Sequence, residues 1–157
     1  MDYLVLKYIH IISATLLFGT GLGTAFQMVR AYFSHDVRAI AAVSRSVVLA
    51  DWIFTAPAVV VQLVTGGWMM WLMDYPLMTG WLMAALILYV IVGVCWLPVV
   101  WLQIRMERMA AKAMTAGEAL PPLYHRYFRI WFVLGWPAFL SVLVIFYLMV
   151  FKPEISI

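Results

Sequence analysis

A chain of 157 residues that is 67% hydrophobic and only 11% charged, with a mean hydropathy of +1.01, is too apolar for an ordinary soluble domain and reads as a polytopic membrane protein. The formal net charge of +3 comes with no nucleic-acid-binding motif, so no nucleic-acid partner is expected. One cysteine, Cys95, excludes an internal disulfide.

Four apolar runs reach the ~20 residues that a bilayer requires; they cover roughly 8–29, 47–73, 81–102 and 130–151. The first follows Met1-Asp2-Tyr3, which supplies no basic region, and it is too long for a signal-peptide core, so a retained helix is expected. His10 is the only histidine inside a hydrophobic segment. An ionisable group in hydrocarbon is costly and marks a candidate functional site. Imidazole also serves haem iron, copper and proton relays. The plainer reading is a neutral histidine bonded to a neighbouring helix. Gly19 and Gly23 form a GxxxG pair, a signal for close helix packing that would equally make room for a flat macrocycle.

In the first connection, Ser34 or Asp36 can cap a short amphipathic helix over 37–43, expected to lie on the membrane interface. The second run opens with Asp51, a carboxylate near the membrane that should pair with Arg126 or Arg129. It also carries Pro57, a predicted kink, and the close-approach pair Gly66-Gly67. The third run holds Pro98 and continues through 105–112 until Gly117 and Pro121-Pro122 end it. The last run starts near Tyr124, contains Pro137 and reaches Lys152. Trp96 and Trp136 should lie deeper than the interfacial tryptophans.

Basic residues set the expected orientation. Arg30, Arg38 and Arg45 lie in the first connection, and Arg105, Arg108, Lys112, Arg126 and Arg129 in the third, whereas Asp74-Tyr75-Pro76-Leu77 has none. Basic loops stay cytoplasmic, so both termini face outward. The expected architecture is all-α, one four-helix membrane domain over residues 1–157 in the bacterial inner membrane, with the lipid bilayer and a homo-oligomer or membrane-complex partner around it.

Counting ~1.5 Å per residue inward from Lys7 and Asp74 puts His10 about one turn inside the membrane and Met70, Met83 and Met149 at its level. His/Met is an axial pair for haem, and soft sulfur also suits Cu(I). Met70 is the first candidate second ligand, although methionine is also a common gap-filler. Lys7 and Lys152, at the same boundary, could meet haem propionates; such lysines also simply snorkel to the interface.

The segment Leu6-Lys7-Tyr8-Ile9-His10-Ile11-Ile12, with Phe18-Gly19 and Gly21-Leu22 after it, resembles the first helix of bacterial HemJ-type protoporphyrinogen oxidases. Pro57-Ala58, Leu63-Val64-Thr65-Gly66 and the stretch from Tyr127-Phe128-Arg129-Ile130 to Lys152-Pro153 are similar as well. Ala50-Asp51-Trp52-Ile53-Phe54-Thr55-Ala56-Pro57 and Trp96-Leu97-Pro98-Val99-Val100-Trp101-Leu102-Gln103 resemble predicted bacterial integral membrane proteins of unknown function (domain of unknown function 2269). A more distant similarity is to CopD-type copper-resistance proteins. The HemJ resemblance implies a b-type haem with His10 as ligand and a redox or electron-transfer role. It does not extend to that family's third-helix lysine and histidine, which fall within Leu82-Met83-Ala84-Ala85 and near Trp96, nor to the Asn-Glu replaced by Gly135-Trp136. The alternatives are a Cu(I)-binding or transport protein and a non-catalytic accessory subunit.

Overall fold

The computed structural model describes residues 2–74, 76 and 78–155, and among these every regular element is a helix, without strands. Helix α1 spans Tyr3–Ser34, α2 Val37–Ala50, α3 Ala56–Leu72, α4 Gly80–Ala116 and α5 Pro122–Phe151. Four helical stretches are long and apolar enough to cross a membrane: α1, the unit Val37–Leu72, α4 and α5. The four runs read from the sequence are therefore present. Their helices extend beyond the apolar core at the arginine-rich end.

Local chemistry fixes the ends. α1 stops where His35 turns left-handed, at φ 56. Asp36 then caps α2 by accepting from the Arg38 backbone N–H at 2.9 Å. α4 ends on Gly117 at φ 68, with the Glu118 N–H reaching back to the Ala113 carbonyl at 3.0 Å, a closure that glycine adopts without steric cost. Pro122 opens the first turn of α5, where its missing N–H costs nothing.

The short interfacial helix expected over 37–43 is corrected. α2 buries Ile40, Ala41, Ser44 and Val47, packs on α4 and α1, and continues into α3 as a single 36-residue rod. The join is a π-helical turn over Asp51–Thr55, in which the Ala56 N–H bonds the Asp51 carbonyl five residues back. Pro57 explains its position. A proline ring crowds the carbonyl four residues earlier and supplies no N–H, and a π turn just upstream relaxes that register. Pro98 and Pro137 are carried inside uninterrupted helices.

α4 packs most extensively on α5, and α1 on α3. Phe18 of α1 stacks on Phe139 and meets Phe146 edge-on, both from α5. The densest core lies at the arginine-rich end, where Met28, Val47, Met106, Tyr124, Phe128 and Trp131 are buried together. There Tyr32 lies flat on Phe128, ring centres 3.7 Å apart, with its hydroxyl 3.0 Å from His125 Nδ1. Toward the termini the outward faces are apolar and exposed, Val60, Val94, Val133 and Val150 among them, as lipid-covered surfaces must be.

Candidate functional site around His10

α1 and α3 run antiparallel and bring two short polar pairs face to face. His10 and Ser13 are three residues apart on α1; Gln62 and Thr65 are three apart on α3, so each pair occupies one helix face. His10 Nδ1 is 2.8 Å from Thr65 Oγ1, and His10 Nε2 is 2.7 Å from Gln62 Nε2. Ser13 Oγ donates to Gln62 Oε1 and also lies 2.9 Å from the His10 carbonyl.

Proton bookkeeping assigns the tautomer. The Thr65 hydroxyl donates to the Val61 carbonyl at 2.6 Å, so toward His10 its oxygen accepts. Nδ1 therefore carries the imidazole proton, and Nε2 presents a lone pair to the Gln62 amide N–H. The Gln62 carbonyl, in turn, takes the Ser13 proton. Each polar group in the four-residue clasp has a partner, as a low-dielectric setting demands.

Space at the ring is set by Gly66. A Cβ built there would stand 3.2 Å from His10 Cε1 and 3.8 Å from Nδ1. Gly66 is thus the floor against which the imidazole lies. Gly67, Gly19 and Gly23 have nothing within 4 Å of such a Cβ, so among the described residues the GxxxG face of α1 is not used by helix packing.

The level expected for Met70 is corrected. Gln62 to Gly66 stand opposite His10, and Met70 lies a further turn, ~6 Å, toward the α3 terminus. Counting from Asp74 took the turn after Leu72 as helix, and α1 already begins at Tyr3. Neither Met70 nor Lys7 sits on a ring nitrogen of His10; Gln62 and Thr65 take both. Met70 is half-buried and Lys7 exposed. Lys152 lies over the Trp81 ring, 5.4 Å from its centre. Among the described residues no group of three His, Cys, Asp or Glu side chains could hold a metal ion.

No curated protein and no solved structure matches the chain. A family model does: the one described as predicted integral membrane protein (DUF2269) matches residues 4–153. The chain belongs to the DUF2269 family.

A second polar group in this DUF2269 protein lies ~16 Å along the rod from Gln62, at the π turn. Asp51 is 6% exposed and accepts from the Thr55 hydroxyl at 3.0 Å through Oδ1. Gln103 of α4 reaches the same carboxyl. The pairing expected with Arg126 or Arg129 is not formed; both arginines are exposed and Asp51 Oδ2 has no partner. Arg126 follows Tyr124 by two residues and Arg129 follows Phe128 by one, so the helical period turns both off the buried Tyr124–Phe128 face of α5. Trp96 is half-buried and helps line a cavity of about 30 Å³ beside Asp51, whereas Trp136 is half exposed.

Reading the sequence had singled out His10 and left Gln62, Thr65 and Ser13 aside. Their signal was present: Gln62 is the one amide in Val59-Val60-Val61-Gln62-Leu63-Val64, and its three-residue spacing to Thr65 repeats that of His10 to Ser13.

Proposed function

We propose that this integral membrane protein binds b-type haem through His10 and serves a redox or electron-transfer role in the bacterial inner membrane, with both termini outside. The observation that carries the reading is the orientation of the imidazole. Its Nδ1–H is committed to Thr65, which leaves Nε2 as the basic nitrogen. A ligating histidine generally has its other ring nitrogen held in this way. Gly66 supports the reading because it leaves the ring room beside α3.

Ligation through Nε2 would require the Gln62 amide to rotate off that nitrogen. Gln62 would then remain tied to Ser13, Thr65 would orient the ring, and Met70, one turn beyond Gly66 on α3, is the candidate second ligand. Haem, when bound, would supply one-electron chemistry; the protein would contribute ligation, a water-poor setting and tuning of potential. Purified protein reconstituted with haem is expected to show a Soret band that His10→Ala abolishes. No Soret band after reconstitution, or one indifferent to His10→Ala, refutes the reading.

One observation favours a second reading, a non-catalytic subunit of a membrane complex. The clasp is complete without any ligand, and the Gly19/Gly23 face is open for a neighbouring helix. Co-purification with a stable partner, unaffected by His10→Ala, would favour it. Metal analysis of the same sample separates copper from haem.

A further inference from the structure

One face of α4 changes chemistry along its length. Val90, Val94, Leu97, Trp101, Arg105 and Arg108 follow one another at spacings of three or four residues, so they share a single line along the helix. All six are exposed, whereas Leu102, Gln103, Met106 and Ala110 are buried on the opposite side. From Gly80 to Trp101 the helix rises ~32 Å, which matches the hydrocarbon core of a bilayer. Val90, Val94 and Leu97 therefore face acyl chains, and Trp101 stands at the boundary where tryptophan collects. Arg105 and Arg108 lie ~6 and ~10 Å further along, in the headgroup layer.

Helical side chains lean toward the N-terminus, which for α4 brings both guanidinium groups back toward the membrane. Arg105 has this geometry: its Cζ lies 5.3 Å from the centre of the Trp101 ring. Tyr127 of α5 braces the same ring, with centres 5.6 Å apart. A guanidinium held over an aromatic face still presents its N–H groups edge-on, in the fork that matches phosphate oxygens. Glu107, between the two arginines in sequence, is turned off their face by ~100° or more. The line therefore joins two cations to an apolar strip, with tryptophan at the junction.

We propose that this face of α4 binds one anionic phospholipid, its phosphate held by Arg105 and Arg108 and an acyl chain laid along Leu97, Val94 and Val90. Charge complementarity names the occupant, since a headgroup without net charge leaves the second cation unneutralised. The strip below asks for a hydrocarbon chain, which free phosphate lacks. The site is independent of any role of His10. The test titrates the full chain, in neutral detergent micelles, with dioleoyl phosphatidylglycerol or dioleoyl phosphatidylcholine, and counts bound lipid by native mass spectrometry. Saturable binding of one phosphatidylglycerol per chain, in preference to phosphatidylcholine, is expected. Arg105→Gln and Arg108→Gln should each weaken it about fivefold, the weight of one basic residue near an anionic surface. Arg38→Gln, the same loss of charge at the exposed start of α2, should leave it unchanged. Arg105→Lys keeps the charge without the planar fork and should also bind more weakly than the unmodified protein. No saturable site, equal binding of phosphatidylcholine, or an equal loss in Arg38→Gln overturns the proposal. Displacement of the lipid by glycerol 1-phosphate at matched concentration does so too, because the chains would then contribute nothing. A co-purified protein that Arg105→Gln releases and phosphatidylglycerol does not displace overturns it as well, by identifying a protein as the occupant.

Discussion

Adding one methyl group at Gly66 tests the packing at the centre of the clasp. The new Cβ would approach His10 Cε1 to 3.2 Å, inside the ~3.5–4.0 Å at which carbon pairs are most favourable. The imidazole cannot simply swing away, because Nδ1 is held at 2.8 Å by Thr65 and Nε2 at 2.7 Å by Gln62. Relief must come from lengthening those bonds or spreading α1 from α3. Overpacking of this kind costs about 1–3 kcal/mol. The exchange also returns up to ~1 kcal/mol of helix propensity. Gly67 supplies the internal control, since a Cβ there meets nothing within 4 Å and only the propensity gain remains. Gly66→Ala should therefore be less stable than Gly67→Ala by about 1–3 kcal/mol, measured by reversible unfolding in mixed detergent micelles. Equal stability of the two variants would refute the account of Gly66 as the floor of the imidazole.

Three further outcomes are expected. Thr65→Val preserves shape while removing the acceptor of the His10 Nδ1–H, and should cost about 1–3 kcal/mol for the unpaired donor in the same unfolding assay. Gln62→Ala uncovers Nε2, so under the haem reading it should increase the Soret absorbance retained after reconstitution; a Soret band that falls along with stability would identify the amide as purely structural. Tyr32→Phe should lose about 0.5–1.5 kcal/mol with its bond to His125, and Tyr32→Ala about 3 kcal/mol or more as the ring leaves Phe128, again read by unfolding.

The helices were legible in the sequence because hydrocarbon thickness sets their minimum length, and His10 was legible because it interrupts an apolar run. Gly117 and Asp36 were also readable, since one permits a left-handed backbone and the other accepts a first-turn N–H. Pairing was not. Depth counts fix level only as well as the helix ends are known, and a few residues of helix beyond the expected start moved Met70 a full turn from His10. Direction was harder still. Arg126 and Arg129 are near Asp51 in depth, yet nothing in their spacing says that α5 turns Tyr124 and Phe128 inward instead. Gln62 and Gln103 passed unremarked because an amide carries no charge, although burying one requires a partner almost as firmly.

The π turn also changes how α3 is to be counted. A turn of i+5 bonds advances around the axis more slowly than an α turn, so five such residues lag by roughly one residue, or about 100°. A helical wheel drawn without interruption from Val37 would assign Gln62, Thr65 and Gly66 to the wrong side of the rod. Started at Ala56, it places them together toward α1. Asp51–Thr55 thus behaves as an inserted residue whose rotation is absorbed locally: the face of α2 that packs on α4 and the face of α3 that meets His10 can each be set without regard to the other.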